Sequence, residues 1–379
     1  MNQPIYKKSI VMHKKLGGKI EITPKVLIKD KKTLSIFYTP GVGAVSSLLG
    51  EHPERAREYT IKRNTVAVIS DGSAVLGLGN IGPEGALPVM EGKAMIFKSF
   101  AGVDAFPLVL NVHDADAIVA TIMAVAPTFG GINLEDIAAP ICFDVEARLQ
   151  EMLDIPVMHD DQHGTAIVVL AGLINALKVV KKSPQTIKVV VIGAGAAGNA
   201  TAKLLNLYGI KNILVCDRKG VLSSLRKDLD PHKLALAELT NPMNVSGDLH
   251  DALTGSDVVI GVSGPGLLKR QDIALMNERA IVFAMANPVL EIMPDEAIAG
   301  GAAVVATGRS DFPNQINNAL TFPGVFRGAL DNRVRHITDD MKLNAAVAIA
   351  KLVAKPTAKN IMPSIFDPRL VRVVAKSIK

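Results

Sequence analysis

The run IKVVVIGAGAAGNATAKLLNLYG, residues 187–209, carries the strongest architectural signal in the chain. Its apolar, β-branched start reads as a strand buried on both faces. The strand gives way at once to GAGAAG, 193–198, and then to AAGNATAKLLNLYG, which reads as a helix. Glycines in that spacing let the backbone turn tightly, approach a pyrophosphate and pack the helix onto the strand. The helix N-terminus then offers oriented N–H groups to the same anion. Gly193, Ala194, Gly195, Ala196, Ala197 and Gly198 are therefore candidate cofactor contacts. The next strand, NILVCD, ends in Asp217, where the acidic residue of a dinucleotide-binding unit belongs. A carboxylate there can accept from ribose hydroxyls and repels a 2′-phosphate, which tilts the coenzyme towards NAD. Arg218 and Lys219 follow at once and could hold that phosphate, so NADP stays open.

Working outward, DVVIGVS, AIVFAMANP and AAVVATG continue the alternation of strands with amphipathic stretches, as a parallel sheet requires. Upstream, a long helix over 165–182 leads through Ser183-Pro184 into the fingerprint strand. The first 160 residues mix helical patterns with the short strands TVAVISD (65–71), DAFPLVLNV (104–112) and IPVMHD (155–160). The expected fold is α/β: an N-terminal catalytic domain over 1–162, then a doubly wound Rossmann-type domain over 163–379 with a helical tail near 339–355. A length of 379 residues suits about two domains. A second GxGxxG match, at Gly77, Gly79 and Gly82, runs into Pro83 and Pro88 with no helix expected between them. It reads as a loop that lets substrate or cofactor come close.

Composition narrows the class further. With 49% hydrophobic residues the chain can bury a large interior. Its two cysteines, Cys142 and Cys216, lie far apart in apolar stretches, so a disulfide framework is not expected and a reducing, cytoplasmic setting is. The N-terminus has no apolar core of signal-peptide length, and the apolar run 165–180 is too short and too interrupted for a membrane span. The net charge of +6 is local: residues 1–35 carry nine lysines against Glu21 and Asp30, while the remainder is nearly neutral. With Tyr6 the only aromatic in that arm, a nucleic-acid surface is not indicated.

Two acidic pairs carry the chemistry. Glu135-Asp136 in INLEDI and Asp160-Asp161 in PVMHDD both sit where an apolar strand gives way to a helix. Strand ends of this kind are where α/β folds place their sites. Clustered carboxylates suit Mg²⁺ or Mn²⁺, which take oxygen ligands. The alternative for the second pair is a helix cap, and pattern alone leaves the two readings level. His159 and His163 lack the cysteine or third histidine that zinc would want.

Taken together, these motifs resemble the malic enzyme family. YTPGV at 38–42 resembles its tyrosine motif, and GLGNIGPEGALPVMEGK at 77–93 its glycine-rich stretch ending in a lysine. INLEDI and HDDQHGTA resemble its two metal motifs, while ANP at 286–288 and NQINNALTFPG at 314–324 resemble its asparagine motifs. The similarity runs from about residue 30 to about 330, and the length resembles the short prokaryotic form, without the phosphotransacetylase-like domain of longer relatives. The resemblance implies oxidative decarboxylation of malate to pyruvate and CO₂ with reduction of NAD or NADP. It makes Tyr38 a general acid and Lys93 a general base, with Glu135, Asp136 and Asp161 as metal ligands and Asp160 beside them. Asn287 and Asn318 would contact substrate and nicotinamide, and a homodimer is implied. One departure stands out: large-form members carry an arginine two residues after the glycine of the DG motif, and DGSA puts Ala74 there. Arg309 is a candidate for the missing cation.

Overall fold

The computed structural model describes residues 4–379. The chain opens with four helices, α1 (Pro4–Leu16), α2 (Lys31–Phe37), α3 (Val42–Glu51) and α4 (Ala56–Tyr59). The last three bury no residue at all, although α2 and α3 carry several apolar side chains. A first sheet follows, built from β1 (Thr65–Ser70), β2 (Asp104–Val109), β3 (Gly131–Leu134) and β4 (Val157–His159). Its strands are parallel in the order β2-β1-β3-β4. The helices α5 (Gly82–Ala101), α6 (Ala115–Val125) and α7 (Ile141–Met152) make the connections.

The α5 helix corrects one expectation, because the proline-rich stretch up to residue 88 is not all loop. Pro83 occupies the first turn, where its missing N–H would have had no partner anyway. Pro88 lies inside the helix and removes one bond, at a cost of about 3 kcal/mol. Ala86, Met90, Lys93, Ala94 and Phe97 recur at helical spacing on the buried face and offset that loss. The helix ends at Gly102, which takes the left-handed conformation.

From β4 the chain enters α8 (Asp160–Val180) directly. By length and hydropathy alone α8 could cross a membrane, but 78% of its most apolar window is buried inside the protein. Ile167, Leu170 and Leu173 are fully buried, each worth ~1.5–3 kcal/mol by transfer from water. Helix α8 packs on α9 (Ala196–Leu207), the helix that follows the glycine fingerprint.

The second sheet has β5 (Lys188–Ile192), β6 (Asn212–Asp217), β7 (Gly220–Val221), β8 (Val258–Gly261), β9 (Ala280–Ala284) and β10 (Ala302–Thr307). Their order is β10-β9-β8-β5-β6-β7, parallel except for the short β7 hairpin return. Strand order reverses beside β5, so a crevice opens at the carboxyl ends of β5 and β8. One apolar core joins the two sheets through α8: Val66, Met90 and Phe97 belong to the same cluster as Val189, Val191 and Phe283. The tail contains a helix at Asp339–Lys351, capped by Thr338.

Candidate active site

A cleft of about 910 Å³ separates the carboxyl ends of the two sheets. The first domain lines it with Ala74, Lys93, Glu135 and Asp136, and α8 adds Asp160 and Asp161. The second domain faces them with Gly195, Ala196, Ala197, Asn287 and Asn318. Most of the sequence-marked residues thus meet in one place.

The carboxylates come from two adjacent strand ends. Glu135 and Asp136 follow β3, and Asp160 and Asp161 follow β4, its parallel neighbour. Glu135, Asp136 and Asp161 each offer one oxygen, all within 4.8 Å of one another. Asp136 holds a left-handed backbone, φ 52°, a strained conformation for a residue with a Cβ. Its carbonyl accepts from the Ala74 N–H at 2.9 Å, and its own N–H donates to Asp161 Oδ2 at 2.8 Å. Neither Asp160 nor Asp161 caps α8: the N-cap is His159 and no side chain caps it. Asp136 Oδ2 is buried and has no hydrogen-bond partner. Burial and the adjacent Asp161 charge push the Asp136 carboxyl up to about 8. Burial, then Asp161, likewise raises Glu135. An oxygen-only cluster with an unpartnered buried carboxylate oxygen and raised carboxyl groups fits a divalent cation.

Lys93 is buried and donates to both Glu135 and Asp160. Its Nζ also lies 4.4 Å from the centre of the Phe322 ring. Burial pulls this ammonium down, but Asp160, Glu135 and Asp161 together hold it above its ordinary value. Asp160 is fully buried and accepts from Asn318 Nδ2 at 3.0 Å through the oxygen that meets Lys93. Gly164 is needed on the next turn of α8, because a Cβ there would collide with Asp160 Oδ1.

Behind the cluster, the buried Glu146 on α7 accepts from the His159 N–H (2.7 Å), Gln162 Nε2 (2.9 Å) and His163 Nε2 (3.0 Å). Burial would raise this carboxyl, but His163 and the His159 N–H outweigh it and keep it below its usual range. Nothing in FDVEARL marked Glu146 beforehand, since a helical Glu usually faces water.

In the second domain a Cβ on Gly198 would collide with the Gly193 carbonyl, so the fingerprint makes the close helix–strand approach that its spacing implies. With Gly195, Ala196 and Ala197 lining the cleft at the N-terminus of α9, the residues fit a dinucleotide pyrophosphate. Buried Glu291 ties two strand-end loops together, accepting from Ala286 N at 2.9 Å and Ser263 N at 3.3 Å. Asp217 at the end of β6 is already engaged, accepting from Arg226 Nη1 (2.9 Å) and Nη2 (3.1 Å) and from Lys233 (3.3 Å). Burial raises this carboxyl, but Arg226 more than reverses the shift. Sequence reading found neither Arg226 nor Lys233, whose partners are set by folding.

Two of the catalytic and substrate-binding candidates marked in the sequence lie apart. Tyr38 is 61% exposed at the end of α2 and does not line the cleft. Arg309 donates to Asp311 at 2.9 and 2.6 Å and to the Pro288 carbonyl at 3.2 Å, while Gly308 beside it lines the cleft.

Fold and cleft together define a class: a two-domain, dinucleotide-dependent oxidoreductase with a carboxylate cluster facing the glycine fingerprint across one cleft. Comparison with known proteins then narrows the class. The family model for the malic enzyme N-terminal domain matches residues 17–150, and that for the malic enzyme NAD binding domain matches 162–378. An NAD-dependent malic enzyme of Geobacillus stearothermophilus is 54% identical over 98% of this chain and 77% of its own length. A bifunctional malic/malolactic enzyme of Bacillus subtilis is 53% identical over 97% of this chain and 90% of its own. A solved NAD-dependent malic enzyme from Thermotoga maritima superposes with a TM-score of 0.95 at 49% identity, over 98% of both chains. The chain belongs to the malic enzyme family.

Proposed function

We propose that the protein oxidises malate at C2 and releases CO₂ from C4, yielding pyruvate and reduced NAD(P). The carrying observation is Lys93, clamped between Glu135 and Asp160 and facing the dinucleotide fingerprint across one cleft. Glu135, Asp136 and Asp161 would hold Mg²⁺ or Mn²⁺, and Gly193–Gly198 the coenzyme pyrophosphate. When bound, the ion supplies Lewis-acid polarisation of the C2 oxygen and the nicotinamide accepts the hydride.

Lys93 takes the proton of the C2 hydroxyl. Burial favours its neutral form, and Asp160, Glu135 and Asp161 oppose that; an ion held by Glu135 and Asp161 would remove two of these three opposing charges and leave Asp160 as the partner of the amine. Asp160 and Asn318 fix the amine's position, and Phe322 covers it from water. Asn287 orients the nicotinamide side of the cleft. Tyr38 supplies the proton that C3 gains after CO₂ leaves.

A homodimer is part of this reading. Leu34, Ile36, Phe37, Tyr38 and Val45 form an apolar stretch exposed between 36 and 61%, of the kind that marks a contact with another chain. A two-fold contact is reciprocal, so Tyr38 of the partner subunit would complete each cleft. NAD is favoured by Asp217, while Arg226 and Lys233 around it leave NADP usable. Buried, unpaired Cys142 and Cys216 agree with a reducing cytoplasm.

The test is the near-ultraviolet absorbance of reduced nicotinamide with malate, Mn²⁺ and either coenzyme. Turnover that EDTA abolishes is expected. No turnover with either coenzyme, or turnover that survives EDTA, overturns the reading.

A further inference from the structure

Malate carries two carboxylates into a cleft lined by acidic groups, and one divalent ion shared with three carboxylate ligands does not neutralise both, so a side-chain cation facing one of them is expected. Ala74 lines the cleft, at the position where the resemblance to large-form members implies an arginine. Arg309 is bound to Asp311 and the Pro288 carbonyl, and Lys93 to Glu135 and Asp160. Among the described residues that border the cleft, the basic side chains besides Lys93 are His13 and Lys19. His13 is held back on its own helix, with Nδ1 2.8 Å from the Ser9 carbonyl oxygen.

Lys19 is placed differently. Its backbone N–H donates to Glu91 Oε2 at 3.3 Å, which pins the segment after α1 onto α5. Its Nζ donates to the Pro88 carbonyl, and a Cβ on Gly92 would sit 3.4 Å from it. Pro88 and Gly92 are one turn apart on α5, and Gly92 directly precedes Lys93; all three line the cleft. The ammonium therefore lies against the wall that presents Lys93, with a neutral carbonyl as its hydrogen-bond partner. Burial pulls its pKa below the ordinary value by more than the nearby Glu91 carboxylate raises it, as expected for a partly buried cation that is incompletely compensated.

We propose that Lys19 is the cation that binds a carboxylate of the substrate in this chain, in the role left open by Ala74. The carboxylate it holds is C1, which keeps its charge from malate through to pyruvate. An ion pair on C4 would stabilise the charge that must vanish as CO₂ departs, and would raise that barrier. The inference rests on the malate reading given above.

Lys19→Met and Lys19→Arg test it through kinetics and through calorimetric titration of malate with Mn²⁺ present and coenzyme absent. Lys19→Met should raise the KM for malate and weaken malate binding about ten- to a hundredfold, the scale of one charge-assisted hydrogen bond. It should leave the KM for coenzyme unchanged, and Lys19→Arg should recover most of the loss. An unchanged malate KM in Lys19→Met overturns the proposal, as does an equal rise for malate and coenzyme. Failure of the unsubstituted protein to turn over malate would instead remove the functional reading beneath it.

Discussion

Asp161 and Asp160 are neighbours in sequence, and they differ in what their oxygens face. Asp160 is fully buried and spends one oxygen on Lys93 and Asn318. Asp161 spends one on the Asp136 N–H and points towards Glu135 and Asp136. Asp161→Asn keeps an acceptor for that N–H but loses the charge. The Mn²⁺ concentration for half-activation should therefore rise about ten- to a hundredfold, with the melting temperature of the metal-free protein little changed. A large stability loss with unchanged metal demand would return Asp161 to a structural role. The cluster was legible because acids at two strand ends are rare enough to notice, and the motifs named Lys93, Asn287 and Asn318. Lys19 was not legible: in a lysine-rich arm, nothing marks which lysine will fold back onto the cleft. Arg309 shows the converse, since its charge is visible in the sequence but its commitment to Asp311 is not.

At the scale of elements, the start of α8 decides the geometry of the site. Its first turn carries Asp160 and Asp161, and Glu146 on α7 fixes that turn by accepting three hydrogen bonds. In Glu146→Gln an amide N–H would confront the donors of Gln162 and His163. The variant should lose about 2 kcal/mol near neutral pH, as for a buried charge-assisted network. Because folding depresses this carboxyl, its stabilisation is present above the unfolded-state value of about 4.3 and is lost as pH falls through the lower folded-state value. Urea midpoints of wild type and variant should therefore converge as pH drops below about 4. A gap that stays constant with pH would show that charge plays no part. Most strands were legible from apolar runs, whereas the start of α5 was not. Proline pairs normally signal a break, and here burial of one helix face overrides the lost bond at Pro88.

At the scale of the molecule, exposed Tyr38 turns the dimer into a measurable claim. Tyr38→Phe and Lys93→Ala should each abolish steady-state conversion of malate to pyruvate alone. If each cleft draws Tyr38 from the partner subunit, unfolding and refolding the two variants together should restore about a quarter of wild-type activity. Half the dimers would then be mixed, each with one intact cleft. No recovery in a mixture shown to contain mixed dimers would place both groups in one chain. The two-domain plan was readable from the fingerprint and the texture change before it, with the junction expected at 162/163; what the sequence did not show is that α8, at that junction, serves both sides. The same helix supplies two site carboxylates and carries the core that joins Val66 and Phe97 to Val191 and Phe283. The halves are therefore not interchangeable cassettes. A chimera cut within α8 would have to inherit ligands from one parent and packing from the other, so recombination between relatives should succeed only where the crossover leaves this helix and both its neighbours intact.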